Sequence, residues 1–413
     1  MTPVESVFLS SLECSLKGIP VQKDPELTPD QWQQVFSLAT RHHVLPLVFE
    51  AVHNQSSLRD TAILPGVRMQ VRQQVFLQTR KTADFLKLLE ALQSAGVQPL
   101  VVKGIHCRSL YPKPDHRYSS DEDLLIRPDQ LALCREIFGR FGLATDKTAD
   151  NWSQVHEIPF RQKNGPLYIE LHQSLFPKES GAYGHLNRFF EDVFSRSTQI
   201  TVNGVRVPGP GPTDHLFYLI CHALKHFLHS GFGIRQVCDI LMFARAYTQD
   251  IDWPLLLKNC RRIRALYFTA SIFRIGFTCL GFDPADFPAA LTGITVDEGP
   301  MLQDLLQAGI YGSASESRLH SSSITLEAAA SGREKRTARN PVLLSLFPSA
   351  HSLEGRYAYL KDRPWLLPAA WASRVGSYCR DSLMARPASA GESLKLGAQR
   401  TKLLRFYGIL ADK

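Results

Sequence analysis

The chain has 413 residues, of which 44% are hydrophobic and 21% charged, so it can bury a sizeable core and form two or three ordinary globular domains. Its eight cysteines contain no Cys-x-x-Cys pair, which excludes zinc-knuckle and disulfide-scaffold proteins. The formal net charge of +8 favours anionic partners such as nucleotides, nucleic acid or acidic membrane surfaces, without choosing among them.

The first 94 residues are predicted to form an N-terminal helical region. Thr2 and Glu5 fit a helix capping box with Pro3 at the first helical position, and residues 28–31 repeat that signal. No basic segment with a long apolar run follows Met1, and no apolar stretch reaches the roughly 20 residues of a membrane-spanning helix. We therefore expect a cytoplasmic protein without a membrane span.

Residues 95–207 have the alternation and turn signals of a small sheet. Strands are predicted at 98–102, 120–126, 158–162, 167–173, 199–202 and 205–207. The last four form two hairpins, around residues 163–166 and around Asn203-Gly204, and a helix is predicted from Pro128 to about Phe141. The run of proline and glycine at 208–212 ends the sheet and marks a boundary.

Acidic residues recur at period two on two of these strands. Because side chains alternate across a strand, Asp121 and Asp123 are expected on one face, and Glu170 and His172 on one face of another. Carboxylates on neighbouring strands repel one another unless a cation lies between them, and oxygen ligands suit Mg²⁺ or Mn²⁺. This pattern predicts a divalent-metal site that handles phosphate.

A turn ahead of the acidic strand predicts where phosphate binds. Lys103-Gly104 follows a short buried strand and precedes a predicted helix start, so backbone N–H groups can approach phosphate oxygens there. Arg117 and Ser120, just before the acidic pair, complete the predicted nucleotide-binding residues. An exposed strand-end lysine and a salt bridge from Arg117 to Asp115 or Asp121 are the structural alternatives.

The remainder of the chain is predicted to be a helical domain at 213–312, a flexible linker at 313–340 and a C-terminal helical segment at 341–413. Four histidines of the first helix share one face, because their spacings of 7, 4 and 3 residues confine them to a narrow stripe: His215, His222, His226 and His229. With Lys225 at its edge and Asp239 on the next helix, this stripe is either a metal site or substrate-binding wall that faces the carboxylates, or a set of capping, hydrogen-bonding and interface residues.

These residues resemble the polymerase-β-like nucleotidyltransferase superfamily, and more narrowly a bacterial family of uncharacterised nucleotidyltransferases. The segments that carry the narrower resemblance are 102–104, 111–112, 117–126, 169–172, 222–226 and 364–368. The resemblance implies an α+β fold, in which a small mixed-sheet nucleotidyltransferase core lies between N-terminal and C-terminal helical regions. The sequence departs from the superfamily at the turn, where Lys103-Gly104 replaces Gly-Gly or Gly-Ser.

The resemblance also implies an activity. A nucleoside monophosphate, most often AMP, would pass from a nucleoside triphosphate to an acceptor with release of pyrophosphate, and ATP is the favoured donor. Asp121, Asp123 and Glu170 would be the catalytic and metal-binding residues. The acceptor would be a small molecule or a protein. The residues that would contact it, or orient the catalytic residues, are His172, His222, Lys225 and His226.

Two other functions are compatible with the sequence. A nucleotide sensor or partner-binding protein would keep the fold without turnover, and the altered turn leaves that open. A nucleic-acid-binding module would use the basic charge, but the chain has no arginine-rich arm and no basic motif interleaved with aromatic residues. We therefore expect no specific nucleic-acid partner. The acceptor and the preferred base are not specified by the sequence.

Overall fold

The computed structural model describes residues 1–146, 152, 155–229, 231–308, 325–326, 363–371, 373 and 388–410. Its helices are α1 (Pro3–Leu16), α2 (Pro29–Arg41), α3 (Leu45–Val52), α4 (Ser56–Arg59), α5 (Leu64–Ser94), α6 (Gly104–Arg108), α7 (Leu131–Arg140), α8 (Pro212–His229), α9 (Ile234–Ala246), α10 (Trp253–Arg262), α11 (Leu266–Cys279), α12 (Ala289–Thr292), α13 (Gly299–Ala308) and α14 (Ala388–Phe406). Its strands are β1 (Leu100–Val102), β2 (Glu122–Leu125), β3 (Leu143–Ala144), β4 (Glu157–Gln162), β5 (Tyr168–His172), β6 (Thr198–Val202) and β7 (Val205–Gly209). The predicted α+β class is confirmed.

The N-terminal helices begin where their caps predict. The Thr2 hydroxyl accepts a hydrogen bond from the Glu5 backbone N–H at 3.2 Å, and the Glu5 carboxylate accepts one from the Thr2 N–H at 2.8 Å. Thr28 and Gln31 form the same reciprocal pair at the start of α2. These caps satisfy backbone donors that a helix start leaves without partners. The apolar sides of α1, α2 and α3 then pack together around the buried Trp32.

Five strands form one mixed sheet in the order β1-β2-β5-β4-β3. β2 pairs with β5 in parallel, whereas the remaining neighbours in this sheet are antiparallel. The predicted hairpin of β4 and β5 is confirmed. β2 is shorter than the predicted 120–126 strand, since it begins at Glu122 and so leaves Asp121 in the preceding loop.

The two faces of this sheet have different roles. Leu124, Ile169 and Leu171 face a core that also contains Phe85 of α5 and Phe138 of α7. The alternate residues of β2 and β5 therefore point to the opposite face. Helices α8 and α9 lie over that opposite face, which carries the polar residues described below.

The second predicted hairpin, β6 and β7, is confirmed as a separate two-stranded sheet. Its turn residues Asn203 and Gly204 have φ angles of 49° and 85°. Positive φ at both central residues is typical of a tight hairpin turn and favours the Asn-Gly dipeptide. β7 contacts β1, and Val207 is buried in the core beneath the main sheet.

A second, larger core is shared by the N-terminal helices α1 to α3 and by helices α8 to α13. Within it, α8 and α9 are neighbours. No helix in the described residues is long and apolar enough to cross a membrane. The predicted linker at 313–340 lies outside the described residues, except for Thr325 and Leu326. The C-terminal segment is described only in part, and there α14 places Leu404 and Tyr407 in the larger core.

Candidate functional site

A cavity of about 400 Å³ lies between the polar face of the sheet and helices α8 and α9. All the site residues predicted from the sequence line this cavity except His172. The His172 side chain is buried and hydrogen-bonded to Asp123. The fold therefore brings together residues that are separated by more than 100 positions along the chain. Their roles remain predictions.

Asp123, Glu170 and His172 form the closest group of candidate ligands. Asp123 and Glu170 are directly opposite each other on the parallel strands β2 and β5, so their side chains share one face. His172 Nε2 lies 3.0 Å from Asp123 Oδ1 and 3.8 Å from Glu170 Oε2. One ligand atom from each residue lies within 4.8 Å of the other two. Such a donor set, two carboxylates and an imidazole, fits a divalent cation.

Electrostatics at this group are dominated by crowded negative charge. Burial and the nearby carboxylates of Asp123 and Asp121 raise the pKa of Glu170 well above its usual range. Lys103 compensates part of the charge, because its Nζ lies 3.0 Å from Asp123 Oδ2. Although burial alone would lower the pKa of Lys103, the attraction of Asp123 raises it. The Lys103 ammonium thus balances Asp123, whereas the raised pKa of about 8 favours the protonated form of Glu170 near pH 7, and a bound cation would replace that proton.

The Lys103-Gly104 turn has an unusual backbone. Lys103 and Gly104 have φ angles of 65° and 37°, and the Lys103 N–H donates to His215 Nε2 at 3.1 Å. A Cβ on Gly104 would lie 2.1 Å from the buried Glu122 Oε2, so only glycine fits there. Glu122 is itself held by Arg108, with Nη2 at 2.7 Å from Oε1. The hydrogen bond to His215 and the contact with Glu122 therefore hold the backbone of this turn in place. The buried Glu122 carboxylate lies against Gly104.

Asp121 lies at the edge of the site, in the loop before β2. Its carboxylate accepts from the Ser120 hydroxyl at 3.1 Å and lines the cavity, but it lies outside the Asp123, Glu170 and His172 group. Burial would raise the pKa of Asp121, yet the cations of Lys103, Arg235 and Lys81 hold it below its usual range.

The structure pairs Arg117 with Asp239, instead of with the Asp115 or Asp121 that the sequence suggested. Arg117 Nε and Nη2 donate to the two Asp239 oxygens at 3.0 Å and 2.6 Å, and both side chains are buried. Tyr111 donates its hydroxyl to the same carboxylate at 2.8 Å. Most of the guanidinium is thereby occupied, although its Nη1 has no hydrogen-bond partner in the described structure.

Three members of the histidine stripe line the cavity on the side of α8, namely His222, His226 and His229, whereas His215 lies outside this lining and accepts the Lys103 N–H. His222 Nε2 lies 3.4 Å from Lys103 Nζ and 2.9 Å from His226 Nε2. Burial keeps the pKa of His222 well below its usual range and lowers that of His226 to about 3, so both imidazoles are neutral near pH 7. Lys225 Nζ lies 5.9 Å from the centre of the Tyr183 ring. Neutral imidazoles and one ammonium thus face the carboxylates.

Sequence reasoning missed two charged residues of the cavity wall, Glu157 and Arg235, whereas Asp239 lines the cavity as the sequence suggested. Glu157 had a usable signal, since it lies opposite His172 on the confirmed β4–β5 hairpin. Arg235 had none, because only the packing of α9 against the sheet brings it to the site.

The family comparison agrees with this arrangement. A family model described as "Uncharacterised nucleotidyltransferase" matches residues 28–281, which include every residue of the site discussed above. The chain belongs to this nucleotidyltransferase family.

Other comparisons add little. A crystal structure of an antigenic nucleotidyltransferase-like protein from Paracoccidioides brasiliensis aligns with 15% identity and a TM-score of 0.30. The alignment covers 53% of this chain and 97% of that one. A search of curated proteins finds no match.

The raised pKa of Glu170 predicts that the Glu170→Gln variant is more stable than the wild type when metal is chelated. A carboxyl whose pKa is raised in the folded state makes the protein less stable as pH rises from the ordinary pKa of 4.5 to the folded value of about 8. At pH 7 and in EDTA, we expect the variant to gain roughly 1–2 kcal/mol in urea unfolding, with a flatter pH dependence. The exposed Glu191→Gln change is the matched control and should have no effect. A destabilised Glu170→Gln variant would show that another group already balances this carboxylate.

Proposed function

We propose that this chain is a metal-dependent nucleotidyltransferase. It transfers a nucleoside monophosphate, with AMP favoured, from a nucleoside triphosphate to a hydroxyl group of an acceptor and releases pyrophosphate. The observation that carries the proposal is the group formed by Asp123, Glu170 and His172 beside Lys103, in a chain of a nucleotidyltransferase family.

Asp123 and Glu170 would hold Mg²⁺ or Mn²⁺, with His172 as a third ligand or as the group that orients Asp123. When bound, the cation supplies charge neutralisation for the triphosphate and alignment of the reacting groups. Asp121, which lines the same cavity from the loop before β2, would complete the metal site once a nucleotide is bound.

The nucleotide end of the cavity is formed by Lys103, Gly104, Arg117 and Ser120. The Lys103 ammonium lies where it can contact a phosphate oxygen while it remains paired with Asp123. The Ser120 hydroxyl is exposed at the cavity and fixed by its bond to Asp121. These groups orient the triphosphate and stabilise charge that develops on it.

The acceptor would enter from the side of α8. His222, Lys225 and His226 line that side, and the neutral imidazoles can accept or donate hydrogen bonds to a hydroxyl group. Glu170 lines the same cavity, and as an alternative to binding the cation its carboxylate would take the proton of the attacking hydroxyl.

A second function, a nucleotide sensor without turnover, is favoured by one observation. Lys103 Nζ is already bound to Asp123 at 3.0 Å, so an ammonium lies beside the very carboxylate that a metal would need. A permanent ion pair there would allow nucleotide binding and prevent metal-dependent transfer.

Radiolabelled ATP distinguishes these two functions. The protein is incubated with Mg²⁺ and ATP labelled at the α-phosphorus, in parallel with a whole cell extract and with a deproteinised extract, as the sources of protein and small-molecule acceptors. The enzyme transfers label to an acceptor and releases equimolar pyrophosphate, and chelation of Mg²⁺ stops both. The Glu170→Gln variant, which keeps the Lys103–Asp123 pair, should transfer no label. Tight binding of ATP without release of pyrophosphate, in extract and in Mn²⁺ alike, would refute the enzyme and leave the sensor.

A further inference from the structure

Arg235 of α9 is a cavity-lining cation with no assigned role. Its Nη1 donates to the Tyr118 backbone oxygen at 2.5 Å, which anchors the guanidinium beside the loop that carries Arg117 and Ser120. Its Nε is buried without a hydrogen-bond partner in the described structure. Arg235 thus has donor capacity left over at the nucleotide end of the cavity.

No direct ion pair balances the charge of Arg235 within the described residues. Arg117 takes both oxygens of Asp239, and no carboxylate lies within ion-pair distance of the Arg235 guanidinium in the part of the chain that the structure describes. Burial and the neighbouring Arg117 lower the pKa of Arg235, whereas Asp239 and Asp121, outside ion-pair distance, raise it. A guanidinium that lies beside another cation and has no direct carboxylate partner favours the binding of an anion.

We propose that Arg235 binds the terminal phosphates of the nucleoside triphosphate, and so holds the pyrophosphate that leaves. The planar guanidinium suits bidentate contact with phosphate oxygens, and its anchor on Tyr118 lowers the entropy cost of holding it in place. The inference rests on the proposed function for its substrate, because that function supplies the triphosphate.

The position of Arg235 separates it from the acceptor side. Arg235 is anchored on Tyr118, in the loop before β2, whereas Lys225 of α8 lies over the Tyr183 ring. The carboxylates of the proposed metal site line the same cavity as both cations. A triphosphate whose β- and γ-phosphates contact Arg235 can therefore present its α-phosphorus to these carboxylates.

Equilibrium binding tests this assignment without turnover. Calorimetry with Mg²⁺ measures the affinity of the wild type and of Arg235→Met for α,β-methylene-ATP and for AMP. We expect the wild type to bind the triphosphate analogue at least about tenfold more tightly than AMP. The variant should lose about tenfold to a hundredfold in affinity for the analogue and keep its affinity for AMP.

Two further variants make the result specific. Arg245→Met changes an arginine of the same helix that stacks on Phe282 instead of facing the cavity, and it should bind both ligands like the wild type. Arg235→Lys keeps the charge without the planar fork and should bind the analogue with intermediate affinity. If Arg235→Met fails to fold, as judged by circular dichroism, the comparison of Arg235→Lys with the wild type decides the question.

The outcomes separate this inference from the proposed function. Equal affinity of the wild type for the analogue and AMP, or unchanged binding by both Arg235 variants, overturns the role of Arg235 even if nucleotidyl transfer is observed. Loss of analogue binding confined to the Arg235 variants supports that role, even if no acceptor is labelled.

Discussion

The Asp123→Asn variant is expected to lose nucleotidyl transfer by about a thousandfold or more, equivalent to ~4 kcal/mol of transition-state stabilisation. Asp123 contacts both His172, at 3.0 Å from its Oδ1, and Lys103, at 3.0 Å from its Oδ2. An amide at this position would be a weaker ligand for a cation and would leave the Lys103 ammonium without its closest counter-ion. The rate of pyrophosphate release, measured over a range of Mg²⁺ concentrations, reports the loss.

The control for Asp123→Asn is the same change at Asp129, which is exposed at the start of the next helical segment. That variant should release pyrophosphate at the wild-type rate. Circular dichroism and gel filtration of Asp123→Asn establish that the fold persists, since removal of a buried ion-pair partner also lowers stability. Transfer within a few-fold of the wild type by a folded Asp123→Asn protein would remove this carboxylate from the mechanism.

The Asp239→Asn variant is expected to be about 3–5 kcal/mol less stable than the wild type. Asp239 receives two hydrogen bonds from Arg117 and one from Tyr111, and the Arg117 side chain is only 4% exposed. Asparagine would leave the Arg117 guanidinium buried without a counter-ion. Removing one partner of a buried ion pair costs more stability than replacing both partners. Urea unfolding followed by tryptophan fluorescence measures the change.

A matched exposed pair controls for the loss of an ion pair as such. Glu136 and Arg140 form an i,i+4 pair whose side chains are 60% and 70% exposed. Glu136→Gln should therefore cost less than about 0.5 kcal/mol. An Asp239→Asn cost below about 1 kcal/mol would mean that solvent or a relaxed side chain reaches Arg117.

The buried Arg117–Asp239 pair also predicts how stability depends on pH. Burial alone would raise the pKa of Asp239, but Arg117 and Tyr111 hold it below its usual range. A carboxyl with a lowered folded pKa stabilises the protein above its ordinary pKa, about 3.9 for Asp, and that contribution is lost as pH falls through the folded value. The stability difference between wild type and Asp239→Asn should therefore shrink in acid.

Local signals in the sequence were sufficient for several elements of the fold. The capping boxes at Thr2 and Thr28 depend on residues three positions apart, and the Asn203-Gly204 turn depends on two adjacent residues. Alternation along β5 likewise placed Glu170 and His172 on one face. Each of these features is decided within a few residues of chain, so the sequence alone predicts it.

Features that depend on tertiary packing were not predictable. Period-two alternation alone placed Asp121 in a strand with Asp123, but the strand begins one residue later, where Lys81 of α5 binds the carbonyl oxygens of Ser119 and Ser120. The partner of Arg117 lies 122 positions away on α9, and a single sequence carries no local signal for that pairing.

A crystal structure of the protein with Mn²⁺ and a non-hydrolysable triphosphate tests the central claim most directly. The proposal predicts an anomalous-scattering peak within about 2.0–2.3 Å of an oxygen of Asp123 and an oxygen of Glu170. The peak should be absent from crystals of the Asp123→Asn variant grown with the same additions. Manganese bound only elsewhere, or nucleotide bound with Lys103 still paired to Asp123 and no metal between these carboxylates, would contradict the claim.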